Sequence, residues 1–401
     1  MRQVNHGNIF PQTGEDSFEI VAKTFRGLEG VLADEITGIG GRSIRKGTRA
    51  VSFTGNLETL YRANFELRTA LRVLKPFASF TARNEDELYK GAGKTDWSAV
   101  IPEGFTFAID GVLSSPWFNH SKYIALKVKD AIADQFRART GKRPSVDTGD
   151  PGVRINLHIS GDRCNLLLDS SGDSLHKRGY RTGAGHAPVN EALAAGLVLL
   201  SGWDLKSPFV DPMCGSGTIP IEAAMIAWNI PPGIYRDKFA FEKWPGFDKD
   251  LFTRIYNEER PGPSSGPVIF GSDISAAAIS LARSNAKSAF LGKKTTFRVS
   301  SFEEMDPPGG KGVVVTNPPY GERLKQDNAK AFHTILGDTL KRKYDGYEAW
   351  VLSSNLEAVK FTGLKPEKKI VLFNGPLECR YIKYSIYKGS RRHSANFEQS
   401  K

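Results

Sequence analysis

The sequence predicts an α/β fold: a mostly parallel sheet wound with helices over residues 190–390, ending in an antiparallel hairpin and preceded by an α+β region. Three observations carry that prediction. Residues 190–388 alternate buried-strand and helix patterns, the way chains build parallel sheets. Near the end, Asn374-Gly375 separates two apolar runs, and that dipeptide is the strongest short hairpin signal. Ahead of residue 170, period-2 runs and helical apolar stripes mix in the α+β manner.

The elements follow in chain order. Residues 1–16 are polar and aperiodic and read as a loose tail. Residues 17–75 form a small α+β unit. Phe18–Ala22 alternates as a strand, residues 28–36 carry apolar side chains at helical spacing, Arg49–Phe53 is strand-like, and Asn56–Leu74 reads as one long amphipathic helix. Residues 76–170 form a second unit. Phe105–Ile109 alternates as a strand. Ser121–Arg139 reads as a helix with Ile124, Val128, Ile132 and Phe136 on one face, and with Lys122, Lys127, Lys129 and Arg137 off it, the three lysines being candidates for contact with a polyanionic partner. Arg154–Ile159 and Cys164–Asp169 read as a strand pair joined at 160–162, with His158 a core or edge residue and not a ligand.

Residues 171–189 are rich in Gly, Ser and charge and read as a linker. Lys177, Arg178 and Arg181 within it are candidates for phosphate contact, with a solvated connector as the plainer reading. Beyond it, Glu191–Trp203 is an apolar helix and Phe209–Asp211 a short strand. Gly217–Trp228 is a helix with Pro220 in its first turn, where proline is tolerated. Val268–Ser272 is a strand, and Ser275 is placed to cap a helix running to Leu291. Strands follow at Thr296–Val299, Gly312–Val315 and Trp350–Ser353, then the hairpin of Lys369–Phe373 and Glu378–Tyr387. Residues 229–267 look like an insertion over the mouth of the site. Its Phe239, Phe241, Trp244 and Phe247 are expected to pack on the domain or stack on RNA bases. Residues 391–401 are a tail.

Composition narrows the function classes. The chain of 401 residues has a formal net charge of +11, which favours a polyanionic partner. Both halves share the excess, so a broad basic surface is expected and not a basic tail. Cys164, Cys214 and Cys379 are far apart and lack metal-ligand spacing, so no metal site is expected and a reducing compartment fits. No run of about 18 apolar residues exists and the N-terminus has no apolar signal core, so no membrane span or secretory signal is expected. The expected location is the cytoplasm. Oligomeric state is not readable.

The chemistry lies at three strand ends. Asp211-Pro-Met-Cys214-Gly215-Ser-Gly217-Thr218 builds a tight loop in which Gly215 and Gly217 remove side chains where backbone must approach a ligand. The helix behind it offers unpaired N–H groups. The Lys-[Ser/Thr] ending of a phosphate-binding loop is missing, so the carboxylate of an amino-acid ligand suits it as well. Asp273, followed by Ile274, closes the next strand, where an acid can accept hydrogen bonds from ribose hydroxyls. Ser301 and Phe302 follow the third strand, where a hydroxyl and a ring would meet an adenine.

Asn317-Pro318-Pro319-Tyr320 ends the fourth strand and is the strongest signal. An exocyclic amine on a base is a poor nucleophile, because its lone pair is delocalised into the ring. The Asn317 amide oxygen and the Pro318 carbonyl can accept its two N–H bonds and aim the lone pair. The prolines preset that backbone, and Tyr320 offers a ring face. Together the elements describe an enzyme holding an adenosyl cofactor beside a planar amine.

A mostly parallel sheet ending in an antiparallel hairpin is the layout of Rossmann-like class I methyltransferases that use S-adenosylmethionine (SAM). Ser170–Arg181, Asp211–Glu222 and Thr316-Asn-Pro-Pro-Tyr-Gly-Glu-Arg-Leu324 resemble the THUMP-domain RNA guanine-N2 methyltransferases, over nearly the whole chain from about residue 17. The resemblance is to those of large-subunit 23S rRNA and of tRNA. It implies a ferredoxin-like piece and a THUMP domain that grips RNA, then the methyltransferase domain. It implies that Asp211, Gly215 and Gly217 line the SAM site, Asp273 binds the ribose, and Asn317, Pro318 and Tyr320 hold the guanine. Cys214, Thr218, Ile274, Ser301, Phe302 and Asn317 itself join the cofactor candidates. Cys214 reads as packing and not as a nucleophile. Ser301 stands where an acid is common. Two enzyme readings stay open beside the guanine one: an N6-adenine methyltransferase and a protein-glutamine methyltransferase. A non-catalytic RNA-binding assembly factor is the alternative of another class.

Overall fold

The computed structural model describes residues 9–14, 17–183, 188–319 and 326–387. The first elements are β1 (Phe18–Lys23), α1 (Glu29–Gly38), β2 (Arg42–Gly47), β3 (Ala50–Gly55), α2 (Leu57–Glu66), β4 (Arg72–Thr81), α3 (Glu85–Gly93), α4 (Trp97–Val100), β5 (Phe107–Ser114), α5 (Ser121–Thr140), β6 (Val153–Ser160) and β7 (Arg163–Asp169). Then follow α6 (Glu191–Ser201), β8 (Phe209–Asp211), α7 (Thr218–Ala227), α8 (Lys249–Asn257), β9 (Ile269–Asp273), α9 (Ala276–Ser288), β10 (Thr296–Val299), β11 (Val313–Thr316), α10 (Gln326–Lys343), β12 (Glu348–Ser353), α11 (Leu356–Val359), β13 (Lys368–Asn374) and β14 (Leu377–Ser385). None of the described helices is long and apolar enough to cross a membrane.

The chain forms two compact units. The first comprises Met1–Thr24, Leu32–Lys177 and Arg236–Glu258. It is built on one seven-stranded sheet in the order β2-β3-β1-β4-β7-β6-β5. Strand β4 joins its two halves: Arg72–Leu74 pair with β1, and Leu74–Thr81 pair with β7. The sequence-based boundary at residue 75 therefore falls inside a strand, and the sheet is continuous through it. The long helix expected over 56–74 stops at Glu66, because Leu67 turns to extended backbone and β4 begins five residues later. Helix α5 follows its pattern. Ile124, Val128 and Ile132 are buried, and Gly141 closes it in the left-handed conformation.

Two expectations about this unit are corrected. Residues 170–177 are no solvated linker. Ser170 and Ser171 are fully buried, their hydroxyls donating to the Val73 carbonyl (2.7 Å) and the Asn64 side-chain oxygen (2.7 Å). The Arg236 guanidinium donates to the carbonyls of Asp173, Ser174 and Lys177 at 2.9, 3.1 and 2.8 Å, so a distant arginine sets the path. The insertion read over residues 229–267 is divided as well. Its segment Arg236–Glu258 belongs to this first unit, where Phe241 stacks on Tyr61 of α2 at 4.4 Å and on Phe239 at 5.2 Å. Phe252 meets Tyr61 and Phe65 edge-on. An aromatic cluster of this kind buries area and gains from ring geometry, and Tyr61 and Phe65 supply the matching face. Part of the supposed tail is packed as well: Phe10 is buried against Trp244 at 5.8 Å.

The second unit comprises Phe25–Val31, Arg178–Tyr235 and Glu259–Lys401. Its sheet has the order β10-β9-β8-β11-β12-β14-β13. Strands β10, β9, β8, β11 and β12 are parallel, and β14 runs antiparallel to β12 and to β13. This is the predicted layout. Asn374 pairs with Leu377 across the turn, and Gly375 takes a positive φ of 62°. Leu28 is fully buried in this unit's core, against Gly196 of α6, where a Cβ would lie 2.6 Å from the leucine. Helix α10 had no sequence signature of comparable strength. Gly337 interrupts it, and glycine disfavours helix interiors. Here the glycine admits the Thr362 carbonyl, which a Cβ would meet at 1.8 Å.

Candidate active site

Strands β9, β8 and β11 lie side by side and end together, each with a polar residue at or just past its C-terminal end: Asp273, Asp211 and Asn317. Strand order reverses between β8 and β11, since the chain winds outward to β9 and β10 on one side and to β12 on the other. In open α/β sheets that switch point opens the ligand crevice.

The three ends are tied to one another. Asp211 is buried, and its Oδ1 accepts the Thr316 hydroxyl (2.8 Å) and the Met213 N–H (3.3 Å). Thr316 immediately precedes Asn317, so this bond fastens the end of β11 to the end of β8. Burial pushes the Asp211 carboxyl up to about 7, against those donors and with the Asp273 charge adding to the rise. Asp273 accepts the Gly215 N–H at 3.0 Å and the Ser275 N–H at 2.9 Å. Each carboxylate oxygen keeps a further lone pair for a ligand hydroxyl. Ser272 accepts the Cys214 N–H at its carbonyl (2.8 Å) and donates its hydroxyl to the Pro212 carbonyl (3.2 Å).

The two loop glycines have different reasons. At Gly217, φ is +79° and a Cβ would crowd Ala282 at 2.9 Å and the Phe297 ring at 3.0 Å. At Gly215, φ is +53° and a Cβ would meet nothing within 4 Å, so bare backbone faces open space. Behind the loop, Asn285 of α9 donates to the Ser216 carbonyl (3.1 Å) and accepts from the Thr182 N–H (2.9 Å). Cys214 is buried, and burial lifts its thiol well above its ordinary value, so it is no thiolate nucleophile.

The Asn317 side-chain oxygen is excluded from solvent and accepts no hydrogen bond among the described residues. A buried acceptor without a donor costs about 1–3 kcal/mol, which a bound N–H would recover. Pro318 beside it is buried. Tyr320 lies outside the described residues.

The RMKL-like methyltransferase domain family matches residues 178–383, a THUMP domain matches 82–169, and a ferredoxin-like domain of the RlmL kind matches 19–74. This chain belongs to the RMKL-like methyltransferase family. It is 39% identical to "Putative RNA methyltransferase slr0064" of Synechocystis sp., over 95% of this chain and 99% of that one. It is 40% identical to the ribosomal RNA large subunit methyltransferase K/L of Syntrophotalea carbinolica, over 90% of this chain and 52% of that one. The chain thus spans about half the length of the K/L relatives it matches. The methyltransferase SMU.472, solved with S-adenosylhomocysteine (SAH), superposes with a TM-score of 0.83 at 31% identity, covering 94% of this chain and all of that one.

This RMKL-like methyltransferase is therefore SAM-dependent. The glycine loop, the ribose-competent Asp273 and the open space at Gly215 fit the cofactor. The third strand end, past β10, fits it less well than expected. Phe302 is buried in a core cluster with Val210 and Phe270 and stacks on Tyr344 at 5.8 Å, so its ring is committed to packing and is not offered to an adenine. The Ser301 hydroxyl accepts the Glu304 N–H at 3.3 Å. Ile274 is 78% exposed and Val299, whose register partner is Asp273, is 51% exposed. The sequence reading missed Val299, as it missed Thr316 and Asn285.

The cationic candidates separate by position. Lys122 is exposed on α5, while Lys127 and Lys129 are half-buried there and line a cleft of about 670 Å³ with Arg137, Arg143 and Tyr89. Lys177 is exposed and pairs with Asp173 at 3.3 Å. Arg178 is only 1% exposed and sits 3.5 Å from the buried Glu222, which also accepts the Tyr180 hydroxyl at 3.0 Å. A guanidinium so enclosed is not presented to phosphate, and the expectation of RNA contact at Arg178 is corrected. Arg181 lies beside the glycine loop, held by Glu191 at 2.9 Å.

Proposed function

We propose that this protein transfers the SAM methyl group to the exocyclic N2 amine of a guanine in large-subunit 23S rRNA. The observation that carries the reading is the solvent-excluded, unsatisfied Asn317 oxygen at the switch point of the sheet. An arriving amine satisfies that acceptor, and the Pro318 carbonyl takes its second N–H. The amine is then fixed with its lone pair turned out of conjugation. Bound SAM supplies a methyl group activated by its sulfonium. Asp273 orients the cofactor ribose, Ile274 and Val299 offer apolar surface beside it, and Asp211 holds the Asn317 end of β11 through Thr316. Positioning of this kind supplies much of a methyl-transfer acceleration; the new N–C bond would replace the sulfonium S–C bond, leaving SAH, and the amine's surplus proton would pass to water. Tyr320 is proposed to stack on the base. Lys122, Lys127 and Lys129 are proposed to contact RNA phosphates.

The 23S rRNA assignment rests on the names of the K/L relatives, and the guanine on the resemblance of residues 316–324 to N2 enzymes. The test supplies labelled SAM with 23S rRNA, total tRNA and duplex DNA, followed by digestion to nucleosides. N2-methylguanosine from 23S rRNA, lost in Asn317→Ala, is the expected result. The same nucleoside from tRNA would keep the chemistry and move the substrate. N6-methyladenine would sink the guanine assignment.

A further inference from the structure

We propose that Arg181 is the receptor for the carboxylate at the amino-acid end of SAM, and so a cofactor-positioning residue and not an RNA contact. The inference rests on the cofactor site at the glycine loop. Arg181 is 19% exposed and its guanidinium is held on two edges. Its Nε donates to Glu191 at 2.9 Å. Its Nη2 donates to the Val189 carbonyl at 3.3 Å and to the Thr218 hydroxyl at 3.2 Å. Its Nη1 is excluded from solvent and has no acceptor among the described residues. Three bonds thus fix the plane of the fork and leave one edge chemically open. A buried guanidinium nitrogen without an acceptor is costly, and a carboxylate is the planar acceptor that matches it.

The Nη2 bond to Thr218 places the guanidinium at the cofactor loop. Thr218 is the first residue of α7 and follows Gly217, and the helix has no side-chain cap. Unpaired N–H groups and the helix dipole favour negative charge at the same place. Arg181 itself is anchored from behind: Arg178 and Tyr180 meet Glu222, and Thr182 meets Asn285, which also holds the Ser216 carbonyl of the loop. The cation cannot swing out without breaking its bonds to Glu191, the Val189 carbonyl and Thr218. A zwitterionic ligand end would place its carboxylate at Arg181, and its ammonium would find the acidic side of the loop at Asp211.

The test compares two ligands by calorimetry: SAH, and 5′-methylthioadenosine, which keeps adenosine and sulfur but lacks the amino-acid end. Arg181→Met is expected to weaken SAH roughly ten- to a hundredfold, the range of one hydrogen bond to a charged group. Its affinity for 5′-methylthioadenosine should be unchanged, and Arg181→Lys should recover part of the SAH loss. Equal weakening of both ligands would mean that Arg181 only braces the loop and would overturn the assignment. So would unchanged SAH affinity. Should Arg181→Met fail to fold, the wild-type protein decides with SAH against its decarboxylated analogue. Equal affinity overturns the proposal, and a loss of about tenfold or more supports it. Failure of the wild-type protein to bind SAH or 5′-methylthioadenosine would strike the cofactor site itself.

Discussion

Asn317 and Asp211 show how two ordinary polar residues become specialised by their surroundings. Asn317→Ala removes the orphan acceptor without touching the glycine loop. It is expected to cut methyl transfer by about 10²–10³, the effect of deleting one preorganised polar contact, while SAH binding persists by calorimetry. Asp211 gives a pH prediction. Its folded value of about 7 lies above the ordinary 3.8. Between those values the native protein keeps a proton that the unfolded chain releases, so this residue's contribution to stability falls as pH rises through that window. Above 7 the loss is complete. Asp211→Asn stays neutral, so its melting temperature relative to wild type should climb between pH 4.5 and 7.5; parallel curves would refute the buried-carboxyl account. Asp211, Asp273 and Asn317 were legible because each follows a readable strand. Thr316 and Asn285 were not, because their roles come from partners 105 and 69 residues away.

At the level of elements, the hairpin and most sheet strands were legible, since turn chemistry and apolar runs are local signals. The insertion was legible as an insertion but not in its destination, because aromatic residues among charges do not say which surface they cover. Phe241 is the centre of its cluster and almost fully buried. Phe241→Ala should cost about 3–5 kcal/mol, read from chemical unfolding, with no loss of SAH binding in the folded fraction. Gly337 offers the opposite test. Alanine is favoured over glycine in a helix by about 1 kcal/mol, yet the contact with Thr362 forbids a Cβ. Gly337→Ala should therefore destabilise, by about 1–3 kcal/mol from overpacking. A stabilised variant would mean that α10 can shift away from that carbonyl.

At the scale of the whole molecule, the charge of +11 predicts RNA affinity that falls steeply with salt. Filter binding at rising ionic strength would show it, and Lys127 and Lys129 replaced together should flatten the slope. A linear reading assigns consecutive blocks, whereas the chain passes between its two units five times, at 24/25, 31/32, 177/178, 235/236 and 258/259. A fragment of residues 1–177 lacks the aromatic segment 236–258, and a fragment of 178–401 lacks Leu28. Each alone should melt less cooperatively than the full chain by circular dichroism.

The embedded Leu28 segment also bears on inheritance. A protein whose RNA-gripping part and methyl-transferring part each keep a piece of the other's stretch of sequence cannot trade either part whole. A crossover at 177/178 leaves Leu28 with one parent and the aromatic segment 236–258 with the other. New RNA targets would then be reached by changing side chains on surfaces such as α5, one at a time, while the two parts descend together.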